Sequence, residues 1–125
     1  MSIKPVLKTS PCTEDNALSE VHRVERALKV IEGRWKMLIL YHLFRSPSLR
    51  FSELERAIPA VTQKMLIQQL RELEREGVVS RTMHPQVPPK VDYSLTDLGR
   101  ALCPSITELV AWAKLKERQA NELPA

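Results

Sequence analysis

Apolar residues recur at helical spacing from Leu18 onward: Val21, Val24, Leu28 and Ile31 form one stripe, and Gly33 stops it. A second helix is predicted over Trp35–Phe44, apolar on nearly every side and therefore expected to be the central, buried one. Ser46-Pro47-Ser48 ends it, and Leu49-Arg50-Phe51 is long enough to pair as a brief strand. Ser52 followed by Glu55 predicts a capping box for a third helix, which runs to Ile58 and stops at Pro59. After the short turn Pro59-Ala60-Val61, Thr62 caps a fourth helix that reaches Glu76, with Gly77 as its left-handed stop.

The period then changes from 3.6 to two. Val79, Arg81 and Met83 alternate with Ser80 and Thr82 in a strand predicted over Val78–Met83, and a returning strand is predicted over Val91–Leu95. Pro85, Pro88 and Pro89 forbid regular pairing between them, so His84–Lys90 is expected to be a stiff loop. Thr96 caps a fifth helix reaching about Lys116, and Pro104 is expected to bend it by removing one intrahelical hydrogen bond. Its stripe of Leu98, Leu102, Ile106, Leu109 and Trp112 continues past what one small core needs covered. With Val21 and Leu28 of the first helix, Ile106, Leu109 and Trp112 form an expected dimer surface; the alternative is further packing within one chain.

Helix, short turn, helix, ribbon is the order of a winged helix-turn-helix, a mainly α fold with a small β-ribbon, here carrying additional terminal helices. In that fold the second helix of the pair fills the major groove while the ribbon lies along the neighbouring backbone or minor groove. Residues 1–17 lack periodicity and are expected to be a flexible arm, leaving 18–120 as the DNA-binding and dimerisation domain. A chain of 125 residues is large enough for one core without metal or disulfide staples.

The net charge of +4 is modest, but its distribution is informative. Arg34, Lys36, Arg45 and Arg50 occupy Gly33–Ser52 without an acid, and Arg81 and Lys90 occupy Gly77–Val91 likewise. On the fourth helix, Leu66, Gln69, Leu70 and Leu73 share one face, and Lys64, Gln68, Arg71 and Arg75 share the opposite one. Guanidinium, amide and ammonium groups suit base edges and phosphates. An ordinary solvated face is the plainer alternative, and the helix's place between a turn and a ribbon favours DNA. Gln68 and Arg71 are expected to read bases, and Lys64 to serve base and phosphate. Arg34, Lys36, Arg45 and Arg50 are expected to hold phosphates, while Arg81 and Lys90 arm the wing.

Other classes find little support. No apolar run approaches membrane-spanning length, and the opening Met-Ser-Ile-Lys-Pro has no signal-like run, so a cytoplasmic protein is expected. Cys12 and Cys103 lie far apart without CxxC or Cys/His spacing, and neither GxSxG nor HExxH occurs. No enzyme activity, cofactor or metal is expected. Cys103 is expected to be a small core residue.

Four blocks in order, VERALKVIEGRWKMLILYHL, RFSELERAIP, TQKMLIQQLRELEREGVVSRT and PQVPPKVDYSLTDLGRALCP, resemble the HxlR family of bacterial winged helix-turn-helix regulators. The resemblance spans Val24 to Pro104, with Trp112 also in a familiar place. It implies a homodimer joined by terminal helices, a double-stranded operator as partner, and a transcriptional output. It places DNA contacts at Gln63, Lys64, Gln68 and Arg71. One departure stands out: many members carry Cys-Pro immediately before Val-Glu-Arg-Ala, where this chain has His22-Arg23. Cys12, ten residues earlier, is the remaining redox-thiol candidate on that side. Two rival classes stay open: a winged-helix protein-interaction module, for which only Ile67 offers an apolar patch on the fourth helix, and a thiol-based sensor or enzyme using Cys12 or Cys103.

Overall fold

Leu66, Leu70 and Leu73, three and four residues apart on the fourth predicted helix, are where the core begins. In the computed structural model, which describes residues 17–122, all three are at most 1% exposed. The elements are α1 (Ala17–Ile31), α2 (Arg34–Arg45), β1 (Leu49–Arg50), α3 (Phe51–Ala57), α4 (Gln63–Arg75), β2 (Val79–His84), β3 (Lys90–Leu95), α5 (Asp97–Arg100) and α6 (Leu102–Glu122). Ile39, Leu40 and Leu43 of α2, Leu54 of α3 and Val79, Tyr93 and Leu95 of the sheet pack with the α4 leucines into one cluster. Each such aliphatic side chain stabilises the fold by roughly 1.5–3 kcal/mol on burial. α2 reaches the core through Ile39, Leu40 and Leu43, but its all-round apolarity does not bury it all round, since Leu38 and Tyr41 are 40% and 50% exposed.

The strands form one antiparallel sheet in the order β1-β3-β2. Val79, Arg81 and Met83 stand opposite Leu95, Tyr93 and Val91, while Ser80, Thr82 and His84 stand opposite Ser94, Asp92 and Lys90. One face of the ribbon is therefore apolar at its base, and the other is polar throughout. Pairing extends one residue further on each strand than the sequence predicts, to His84 and Lys90: His84 reaches Asp92 across the ladder at 2.9 Å, and Lys90 meets the same carboxylate two residues along its own strand at 3.6 Å.

Three local expectations need correction. The cap of α3 is Arg50, whose backbone N–H donates to Glu53 Oε1 at 2.8 Å; Ser52 sits inside the first turn, and Phe51 belongs to the helix. β1 already ends at Arg50, so the chain enters the helix two residues early. The fifth predicted helix is two helices. The break falls at Ala101, because a proline ring at position 104 collides with a continuing helix's carbonyl four residues back, at Arg100. Pro104 thereby occupies the first turn of α6, where its missing N–H costs nothing, and α6 runs on to Glu122. Cys103, expected in the core, is exposed and free at the start of α6. Cys12 lies outside the described residues.

The joint between α4, the ribbon and α5 is tightly made. Gly77 turns the chain at φ 78°, and the Val78 N–H bonds the Leu73 carbonyl at 3.1 Å. Thr96 Oγ1 donates to the Gly77 carbonyl at 2.6 Å and accepts from the Gly99 N–H at 3.0 Å. A Cβ at Gly99 would collide with the Val78 carbonyl oxygen, so only glycine fits there.

Candidate nucleic-acid interface

Thr62 fixes the start of α4 by accepting the Met65 N–H at 3.1 Å, which sets the phase of every side chain after it. With the leucines facing inward, Gln63, Lys64, Gln68, Arg71 and Arg75 emerge exposed on the far side. Together with Ile67 and Glu72 these residues line a shallow groove along the helix. Ile67 and Arg71 also line a neighbouring cleft of about 450 Å³ between α4 and the wing, floored by Phe51, Val91 and Tyr93 and edged by Glu74 and Arg81. Phe51 and Val91 in turn border a third pocket, between the start of α3 and the wing tip, lined by Arg50, Ser52, Gln86, Pro88, Pro89 and Lys90. The cleft shares residues with the depression on either side of it, so α4, the wing and the β1–α3 corner form one continuous surface.

Charges on this surface divide into paired and unpaired. Arg81 Nε lies 3.9 Å from Glu74 Oε2, an exposed pair of little energetic worth that nevertheless links wing to helix. Lys90 shares Asp92 with His84 on the opposite face of the ribbon from Arg81, so the two expected wing cations face different ways. Lys64, Arg71, Arg75 and Arg50 form none of the ion pairs among the described residues. Tyr93 is buried, and burial pushes its phenol up from the usual range while the Arg81 charge pulls the other way. It therefore stays neutral on the cleft floor.

Lys36 and Arg34 line none of the three depressions. The Lys36 side chain is only 12% exposed, and its ammonium donates to Glu72 Oε1 at 2.5 Å, tying α2 to α4. Arg34 stacks over Trp35 at 4.5 Å and borders none of the three depressions. Arg45 is held over Tyr41 at 5.5 Å. An acid-free stretch of sequence does not reveal that an acid 36 residues away completes a pair. Sequence reasoning also missed Phe51 and Tyr93 as the cleft floor. The period-two pattern Val91, Tyr93, Leu95 placed Tyr93 inward and could have found it.

The hydrogen bond and charge of Lys36 hold the Glu72 carboxyl below the usual carboxylate range, with a weak 3.5 Å contact from Gln68 Nε2 adding to them. A carboxylate whose folded pKa is depressed contributes stability above its unfolded value and loses it as pH falls through the folded value. Glu72→Gln should therefore lower the thermal midpoint near neutral pH and flatten its fall between about pH 5 and pH 3. Identical acid limbs in the two proteins would show that the pair does not anchor the helix.

Residues 30–121 match the family model described as HxlR-like helix-turn-helix. The HTH-type transcriptional regulator YkvN of Bacillus subtilis (strain 168) is 60% identical over 84 residues, which span 67% of this chain and 70% of that protein. Among solved structures, the redox regulator HypR in its reduced form is similar at TM-score 0.72 and 42% identity, covering 81% of this chain and 99% of that one. The reduced transcriptional regulator YodB from B. subtilis is similar at TM-score 0.68 and 40% identity, covering 73% and 88%.

Proposed function

The chain belongs to the HxlR-like helix-turn-helix family, and on that premise we propose that it is a transcriptional regulator that binds a pseudo-palindromic operator as a homodimer. The observation that carries the DNA reading is the outward row Lys64, Gln68, Arg71 and Arg75, continuous with the cleft to the wing. Arg71 and Gln68 offer the bidentate groups that suit guanine and adenine edges; Lys64, Arg75 and Arg50 supply phosphate contacts. A protein-docking module is the weaker reading, because the outward face of α4 is polar apart from Ile67.

The dimer rests on α1 and α6. The 21 residues of α6 include none that is buried, and Leu109 and Trp112 are 54% and 61% exposed. Leu28, Ile31 and Met37 face Ile106, Leu109 and Val110 across an almost wholly apolar groove of about 400 Å³. A soluble monomer rarely leaves so much apolar surface in water, and a two-fold partner covers it while doubling the reading helices. Val21, seven residues before Leu28 on α1, is exposed and is an expected contributor. A thiol switch is not part of the proposal: His22, where many members carry cysteine, is exposed and 3.2 Å from Glu25.

Substitutions separate readers from anchors. Arg71→Ala or Gln68→Ala should cost about 1–3 kcal/mol on the operator and much less on random duplex, measured by fluorescence anisotropy. Lys90→Ala should weaken both about equally. Uniform behaviour of all three variants would remove α4 as the reader.

A further inference from the structure

Ile67 is the one feature of the reading helix that phosphate and hydrogen-bond recognition leave unused. It is 37% exposed, whereas the core leucines of α4 are closed to solvent. It stands one turn after Gln63 and one turn before Arg71, beside Lys64, and forms the lip shared by the outward groove and the cleft to the wing. An aliphatic side chain held in water on a helix-groove surface gains nothing until something apolar covers it. On the edges of bases in the major groove, the apolar group that projects is the C5 methyl of thymine. Isoleucine in a helix is also stiff at χ1, so its methyl groups are already positioned before DNA arrives.

We propose that Ile67 is a specificity-determining residue that packs on a thymine methyl in each operator half-site. The inference rests on α4 being the reader. Arg71 lies four residues on, about 6 Å along the helix axis, so the thymine falls within about two base pairs of the base that Arg71 contacts. Arg71 and Gln68 select by hydrogen bonds, and Ile67 selects by a contact that cytosine cannot return.

The test begins by selecting bound duplexes from a random pool with the intact protein. Each operator thymine is then replaced in turn by deoxyuridine, which deletes the C5 methyl and nothing else. One thymine per half-site should weaken wild-type binding about fourfold on replacement, the factor that ~0.8 kcal/mol per buried methyl gives at 1.4 kcal/mol per decade. Replacement in both half-sites should weaken it about 15-fold. Ile67→Ala should bind the thymine operator more weakly and become indifferent to deoxyuridine at that position alone. If every deoxyuridine changes wild-type affinity by less than about twofold, Ile67 reads no methyl. The same conclusion follows if Ile67→Ala keeps the full penalty, which would make Ile67 only the lip of the cleft. Where the alanine variant does not fold, Ile67→Val, shorter by one carbon, takes its place and should shrink the penalty at that thymine alone; an unchanged penalty would overturn the proposal. Failure to enrich any sequence from the pool would overturn sequence-specific DNA binding itself, a result distinct from enrichment without methyl sensitivity.

Discussion

Leu109→Glu is expected to leave the protein monomeric at micromolar concentration and to weaken operator binding by about 10²–10⁴-fold, the range over which joining two modules raises avidity. The side chain lies half exposed on α6, facing Leu28 and Ile31 of α1 across the apolar groove, and takes no part in the buried cluster. A carboxylate there costs the monomer little, since it remains in water. In a dimer the same carboxylate is desolvated against aliphatic groups and opposed by its own two-fold copy. Sedimentation should thus report a monomer whose far-UV spectrum is nearly unchanged. A Leu109→Glu protein that stays dimeric would move the interface off this face, and a wild-type monomer at the same concentration would end the dimer reading.

Affinity for duplex DNA should fall with a log–log salt slope between roughly −4 and −8. Lys64, Arg71, Arg75 and Arg50 are the interface cations that form none of the ion pairs among the described residues, and a dimer presents each of them twice. At about −0.9 per neutralised phosphate, engagement of half to all of these eight groups gives that range. Raising salt from about 50 to about 200 mM should then cost at least two powers of ten in affinity. Lys36 contributes nothing to the slope, because its charge is already satisfied by Glu72. A flat salt dependence measured by anisotropy would mean that the cationic row does not meet phosphates.

Elements whose evidence is local were legible in the residues themselves. Thr62 as cap, Gly77 as stop, the opposite faces of α4 and the alternation of the ribbon depend on neighbours within a few positions, and the fold has them as expected. The misread features depend on partners remote in sequence or on competing local options. Ser52 and Glu55 have the spacing of a capping box, but pairing of Leu49 with Tyr93 and Arg50 with Asp92 fixes the end of β1 and hands the cap to Arg50 and Glu53. Lys36 looks like a free cation until α4 brings Glu72 beside it. Pro104 signals a disruption plainly, but the residue that yields is the one whose carbonyl it would strike. Among the site residues, the α4 row was read from its phase alone; the cleft floor of Phe51 and Tyr93 needed the third strand in place.

The bond from Thr96 N–H to the Val78 carbonyl, 3.0 Å long, closes a loop in the chain path: the polypeptide departs into the ribbon at Gly77 and returns to the same spot 19 residues later. Topologically the wing is a detour. Removing it from the path leaves α4 and α5 meeting directly at a joint sealed by Thr96 and Gly99. Two quantities that a DNA-binding dimer must satisfy are therefore independent in this fold. In the proposed dimer the distance between the two copies of α4 would be set by the joint and the terminal helices, and the stretch of each arm over the backbone by the ribbon and its proline tip. The tip can lengthen, shorten or change its charge without touching that joint, whereas a Cβ added at Gly99 strikes the Val78 carbonyl within it.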